Sequence, residues 1–361
     1  IRYPISDSHM KLPVLILCAA FVLIAACGEA AAPAAETASQ PLVFLPEDEA
    51  PHDVSIEWWY FNGLLTDDRG REYSFHYVTF QGPRAGAAVP HLLQASLGLN
   101  EAAEHLTGEQ VVFGVLDEEA AGIDISVNGW QMTGDGQVYR LVFDLAEYSI
   151  ELDTVPTKPP VLHRGIGLVS LGSVGDLYYY SRTRLDVTGT LAVAGEQRTV
   201  TGTAWMDHQW GEVEGQRVGW DWVSLQLDDG SDLMAIQVWD PSDKTPITGY
   251  ATLVPDNGPA LVVAQEDLSI TSGDTWTSPV SGITYPSGWT VIIPSLDLRL
   301  DLAPVLMDAE FADSRYIPAA YWEGEVRVTG MRQGRSVSGR GFVELVGYDP
   351  RQLEGGAAAV P

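Results

Sequence analysis

Two cysteines are all that the 361-residue chain contains. Cys18 lies inside an apolar N-terminal run and Cys27 directly behind it, so the rest of the chain has no thiol for a disulfide. Stability must come from core burial, for which roughly 300 residues are ample. Basic residues are scarce too: 20 Lys and Arg stand against 49 Asp and Glu, a formal net charge of −29. Nucleic-acid binding needs a basic footprint, and none exists here. Docking on anionic headgroups is disfavoured for the same reason, which leaves neutral, apolar or cationic partners. Metal and nucleophile motifs are missing as well. His52, His76, His91, His105, His163 and His208 include no pair at zinc-ligand spacing and no H-E-x-x-H. Gly167-Leu168-Val169-Ser170-Leu171-Gly172 has the wrong spacing for a serine-hydrolase elbow. No Gly-rich loop cradles phosphate. Neither a metal nor a cofactor is expected.

The N-terminus reads as an export signal. Met10 to Ala26 holds one basic residue, Lys11, and then an apolar run too short to span a bilayer comfortably. It ends in Ile24-Ala25-Ala26-Cys27, which resembles a lipobox. Cys27 is therefore the expected lipidation site, and two or more acyl chains would anchor the protein stably. Gly28, rather than Asp, at the next position favours the outer membrane. The expected location is the cell envelope, lipid-anchored on the periplasmic side. Residues 1–9 look like upstream translated sequence, and 27–41 form the lipidated Cys with a flexible Ala/Glu/Ser/Pro tether.

Beyond the tether, helix signals are absent, while 36 Gly and 22 Pro punctuate short segments rich in Val, Thr, Trp and Tyr. Tyr139–Leu145, Leu185–Val193 and Glu325–Val328 alternate in period two. Turn signals follow at 66–70, 194–197, 228–230 and 332–334. Short alternating strands joined by hairpins predict an all-β protein of antiparallel sheets. An internal repeat sharpens this. Gly189–Gly195 followed by Val200–Asp207 is echoed by Gly324–Gly330 followed by Val337–Glu344, each ending with an aromatic two residues before an acid. A fainter echo sets Trp59-Tyr60-Phe61 against Trp220-Asp221-Trp222. Two related barrels are expected, 42–214 and 215–350, with a tail at 351–361.

The chain has 11 Trp and 14 Tyr, and they bunch. Clusters stand at Glu57–Phe61, Tyr178–Arg182, Trp205–Trp210, Trp220–Trp222 and Tyr321–Glu323. Alternation puts Glu57, Trp59 and Phe61 on one strand face and Trp58 and Tyr60 on the other. Trp205 and Asp207 share a face, opposite His208 and Trp210 if the strand bends after Asp207. Broad aromatic walls with a few polar groups suit a greasy ligand. The expected lining is Trp59, Tyr60, Tyr180, Trp205, Trp210, Trp220, Asp221 and Trp222. Burying carboxylates among tryptophans is costly without a reason. A pocket-facing carboxyl with few donors would indicate an acid catalyst, and one paired to Arg182 or Arg184 a scaffold.

At these clusters the sequence resembles the carotenoid 1,2-hydratase (hydroxyneurosporene synthase) and AttH-like family. The resemblance is carried by Glu57-Trp58-Trp59-Tyr60 with Gly63, Tyr178–Leu185, Ala204–Gly211, Gly219–Trp222 with Leu225–Leu227, Tyr321–Gly324 and Gly341–Tyr348. It spans roughly 52–350 and implies two tandem lipocalin-like β-barrels. Two activities follow as alternatives. One is binding or transfer of a hydrophobic lipid, isoprenoid or polyene, beside an envelope transport system. The other is hydration of an isoprenoid double bond, with Asp207 or Glu57 as the acid and His208 orienting water. In that case Trp59, Trp210 and Trp222 would wall the cation. His208 and Trp210 match the hydratases' His-x-Trp pair. For their second, Tyr-x-Asp-type pair, Asp221 stands as a substitute.

Overall fold

The computed structural model describes residues 40–351, except 116–119, 214–217, 313 and 318. The lipobox, Cys27, the tether to Ser39 and the tail beyond Arg351 lie outside the described residues. The fold takes hold at Leu42, whose N–H donates to Ile166 O at 2.8 Å, and Val43 is buried just after it.

Alternating segments become strands, as expected. The first sheet holds β1 (Ile56–Asp67), β2 (Glu72–Gln81), β3 (Val89–Leu99), β4 (Glu104–Gly114), β5 (Ile123–Val127) and β6 (Trp130–Gly134). It continues with β7 (Tyr139–Leu145), β8 (Tyr148–Pro156), β9 (Val161–Leu162), β10 (Leu168–Ser170), β11 (Gly175–Val193) and β12 (Glu196–Val213). The second holds β13 (Gly219–Leu227), β14 (Asp232–Trp239), β15 (Pro246–Val254), β16 (Leu261–Ala264) and β17 (Ser269–Thr277). To these it adds β18 (Thr284–Ile293), β19 (Leu298–Pro304), β20 (Glu310–Phe311), β21 (Tyr321–Arg332) and β22 (Arg335–Val346). Helical structure among the described residues comprises five single-turn 3-10 segments and the single residue Arg351, and no helix there is long and apolar enough to cross a membrane.

The strand orders match. The first runs β4-β3-β2-β1-β12-β11-β8-β7-β6-β5 and the second β16-β15-β14-β13-β22-β21-β19-β18-β17, every pair antiparallel. The first sheet curls until β4 approaches β5, a nearly closed barrel. The fold is thus two tandem lipocalin-like units built on one plan, and the second opens after Val213.

Among the described residues three large apolar cores result, beside a small cluster of Phe311, Tyr321 and Val346. One fills the first barrel around Trp59, Phe61, Phe75, Tyr77 and Phe143. Another fills the second unit around Val223, Leu225, Trp289 and Trp322. The third lies between the sheets, where Tyr60, Trp205, Trp222 and Phe342 meet from β1, β12, β13 and β22. β1, β13 and the C-terminal halves of β12 and β22 are packed on both faces, which explains their nearly continuous burial.

A buried ionic clasp also joins the units. Asp232 accepts Lys158 Nζ at 2.6 Å, Arg184 Nη2 at 2.6 Å and Thr183 Oγ1 at 2.8 Å, all from the first unit. Removing one partner of a buried pair strands its counter-charges. Asp232→Ala should therefore lower the urea unfolding midpoint by the equivalent of about 3 kcal/mol, with an unchanged denaturant slope.

Candidate active site between the two sheets

The register fixes which residues correspond. Asp207 on β12 lies between Tyr60 on β1 and Ser181 on β11. Glu344 on β22 lies between Trp222 on β13 and Glu323 on β21. Overlaying Val200–Asp207 on Val337–Glu344 thus matches Tyr60 with Trp222, Ser181 with Glu323, Tyr179 with Tyr321 and Asn62 with Ser224. The sequence echo needs a correction: Trp220-Asp221-Trp222 corresponds to Trp58-Trp59-Tyr60, one residue from the expected alignment. In a strand a one-residue slip exchanges the faces.

Both halves of the repeat present this set to one cleft. It encloses a cavity of about 60 Å³, lined by Trp58, Tyr60, Trp220, Trp222, Asp207 and Glu344, with His76 and Tyr321 at its margin. By water-sized spheres that is room for roughly four to six waters. Tyr60 and Trp222 meet edge to face at 5.4 Å. Asn62 Nδ2 bridges the halves, donating to Tyr60 OH at 2.8 Å and to Ser224 Oγ at 2.9 Å.

Three carboxyls sit here, and none has an Arg or Lys hydrogen-bonded to it. Asp207 accepts Tyr179 OH at 2.7 Å, Trp205 Nε1 at 2.7 Å and a very short bond from Ser181 Oγ. Burial raises its pKa to about 6, and these three donors hold it from going higher. Glu344 accepts only Trp220 Nε1, at 2.9 Å. Burial first, and the Asp207 charge after it, raise it to about 7. Glu323 accepts Tyr60 OH at 2.8 Å through Oε1, while its buried Oε2 has no partner. Burial and the Glu344 charge push it well above the carboxylate range, so it is a neutral acid. His76 is uncharged as well, held at about 3 by burial.

Behind Asp207 runs a hydrogen-bonded chain. Ser181 gives its only proton to Asp207, so His163 Nε2, 2.7 Å from Ser181 Oγ, must be the donor. Its Nδ1 then accepts Thr252 Oγ1 at 3.0 Å. Burial holds His163 at about 3, which fits this neutral form.

Other expected site residues lie elsewhere. Plain alternation, with no bend, puts His208 and Trp210 inside the first barrel with Glu57, Trp59 and Tyr180, on the face of β12 opposite Asp207. Glu57 accepts His208 Nε2 at 2.8 Å, His52 Nδ1 at 2.7 Å and Gln81 Nε2 at 3.0 Å. Burial opposes its charge, yet the His208 and His52 bonds outweigh burial and lower its pKa. Glu57 is therefore a carboxylate, not a proton donor. Burial lowers the His208 pKa. Asp221 is turned into the second unit, bonded to Tyr348 OH and Gln237 Nε2 at 2.7 Å each. It does not stand in for a cleft acid. Arg182 pairs with Glu49 and Arg184 with Asp232, so neither neutralises Asp207 or Glu57. Folding also gathers His52, Glu57 and His208, whose ligand atoms lie within 4.8 Å of one another. The set expected from sequence omits Glu344, Glu323, Tyr179 and Tyr321. The repeat's aromatic-x-acid ending pointed to Glu344, and the aromatic clusters at Tyr178–Arg182 and Tyr321–Glu323 contained the others without distinguishing them as cleft residues.

The AttH-like family pattern matches residues 36–348. Among solved structures, the chain is similar to a Nitrosomonas europaea protein provisionally assigned as AttH, with 28% identity and a TM-score of 0.75 over 86% of this chain and 100% of that one. It shares its fold with kievitone hydratase of Nectria haematococca, at 21% identity and TM-score 0.69 over 86% and 94% of the two chains. It also shares it with CghA crystallised with Sch210972, at 15% identity and TM-score 0.56 over 81% and 88%. Comparison with curated proteins finds no match.

The raised Glu344 pKa has a thermodynamic consequence. A carboxyl whose folded pKa exceeds its unfolded value of 4.5 contributes stability below that value and loses it as pH rises through about 7. Relative to Glu344→Gln, the wild type should therefore be more stable at about pH 5 than at about pH 8. Paired urea titrations measure this, and the buried histidines, present in both proteins, cancel in the difference.

Proposed function

The chain belongs to the AttH-like family, and on that premise we propose that its inter-sheet cleft binds a neutral, hydrophobic, unsaturated small molecule and adds water across a carbon–carbon double bond. The observation that carries this reading is the pair of cleft carboxyls, Asp207 at about 6 and Glu344 at about 7, with no basic side chain hydrogen-bonded to either. Two carboxyls set apart by their surroundings suit an acid and a base. Glu344, with one donor, is the better acid; Asp207, with three, is the better carboxylate.

In the proposed reaction the Glu344 carboxyl gives its proton to one alkene carbon, forming a C–H bond and leaving a cation on the neighbour. Trp58, Tyr60, Trp220 and Trp222 line the cavity in which that charge forms, and a ring face presented to it stabilises it. Water forms the C–O bond and passes a proton to Asp207, aligned by Tyr179, Ser181 and Trp205. Solvent then returns the proton from Asp207 to Glu344. The kievitone hydratase fold is consistent with this chemistry.

Binding and transfer without chemistry is the second reading, favoured by the lipobox at Ile24–Cys27. A lipid-anchored envelope protein would meet membrane-borne ligands and transport systems easily. In both readings the ligand is an apolar lipid, isoprenoid or polyene.

Incubating the purified protein with acyclic isoprenoids in ¹⁸O-water separates the two. The hydratase reading expects product heavier by one labelled water from wild type. It expects loss of at least about a hundredfold in rate for Glu344→Gln and Asp207→Asn, with both still binding. Recovery of unchanged isoprenoid from all three proteins would establish carriage instead.

A further inference from the structure

On the opposite face of β12 from the cleft, we infer that His52, Glu57 and His208 form a binding site for one divalent transition-metal ion of the Zn²⁺ type. The three come from separate segments: the chain entering the barrel, β1 and β12. Yet His52 Nδ1 and His208 Nε2 both aim at one atom, Glu57 Oε1, from 2.7 and 2.8 Å. A tetrahedral ion with bonds of about 2.1 Å needs ligand atoms about 3.4 Å apart. Opening the two contacts to Glu57 Oε1 by about 0.6–0.7 Å would make room, and His52, at 23% side-chain exposure, is the member at the solvent side.

What surrounds the three suits ligands. The remaining Glu57 oxygen, Oε2, accepts His52 N at 2.8 Å and Gln81 Nε2 at 3.0 Å, which orients Oε1. The far nitrogen of each ring also meets a polar group. Tyr180 OH lies 3.3 Å from His208 Nδ1, and Asp48 Oδ1 lies 3.5 Å from His52 Nε2. Carboxylate and hydroxyl partners of this kind fix ligating imidazoles in most metal sites. Stacking holds both rings: His52 lies flat on Trp210 at 4.3 Å, and His208 on Trp59 at 4.6 Å. Two imidazoles and one carboxylate select a borderline ion over Ca²⁺ or Mg²⁺. Glu57 and His208 are fully buried, so the ion enters past His52 and keeps an open position on that side. The sequence hid this site because the ligands are 5 and 151 residues apart.

The test is titration of chelator-stripped protein with ZnCl₂ by calorimetry and with CoCl₂ by visible absorption. One Zn²⁺ per chain, a four- or five-coordinate Co²⁺ spectrum, and a loss of at least about tenfold in affinity in His52→Ala are expected. Asp48→Asn, which removes the carboxylate from the far nitrogen of His52 and keeps an amide oxygen for Phe44 N–H, should weaken binding by a smaller factor and leaves all three ligands in place. It carries the test if His52→Ala fails to fold. Absence of uptake, a six-coordinate Co²⁺ spectrum, or affinity unchanged in the variants would overturn the site.

Discussion

Everything of chemical interest in this protein depends on the antiparallel pairing of β1 with β12. Tyr60 faces Asp207 and Trp59 faces His208 across that pair. Along Glu57–Gly63 and Ala204–Gly211 the two strands are covered on both sides, so each side chain there commits to the barrel interior or to the cleft. Neighbours in sequence thus become members of different sites. Asp207 works among the inter-sheet aromatics, while His208 stacks on Trp59 inside the barrel.

The cleft's character follows from where the basic residues are not. Basic side chains of the neighbouring segments are spent elsewhere: Arg182 on Glu49, Arg184 and Lys158 on Asp232, Arg340 on Glu325 and Glu72. Among the described residues the cleft acids accept from neutral donors, Tyr, Ser and Trp. In a low-dielectric site such donors orient a carboxyl without giving it a full counter-charge, so the protonated form survives toward neutral pH. The number of donors then ranks the acids, from three on Asp207 to one on Glu344.

Duplication gives the cleft its near symmetry, and glycines at matching positions let the paired strands close. A Cβ on Gly202 would stand 1.8 Å from Leu64 O, and one on Gly339 would stand 2.4 Å from Gln226 O. These contacts explain why the repeat is punctuated by Gly in both copies. The copies have since diverged in chemistry. Ser181, a relay to His163, corresponds to Glu323, a neutral acid behind Tyr60.

The amino-acid sequence by itself determined the all-β class, the duplicated plan and the sorting of Trp59 and Phe61 from Trp58 and Tyr60. These depend on local period-two patterning and on turn chemistry, which a single chain displays openly. It also marked Asp207 as an acid among tryptophans, and through the repeat it pointed at Glu344. Tertiary structure alone decided the rest. A one-residue register offset turned Asp221 away from the cleft, and no local pattern encodes the register of a strand pair whose two faces are both buried. Glu323, Tyr179 and Tyr321 joined the site only when the second sheet packed on the first. His52, Glu57 and His208 converged because the pairing of β1 with β12 brings His208 from 151 residues away to Glu57, beside the His52 that precedes β1.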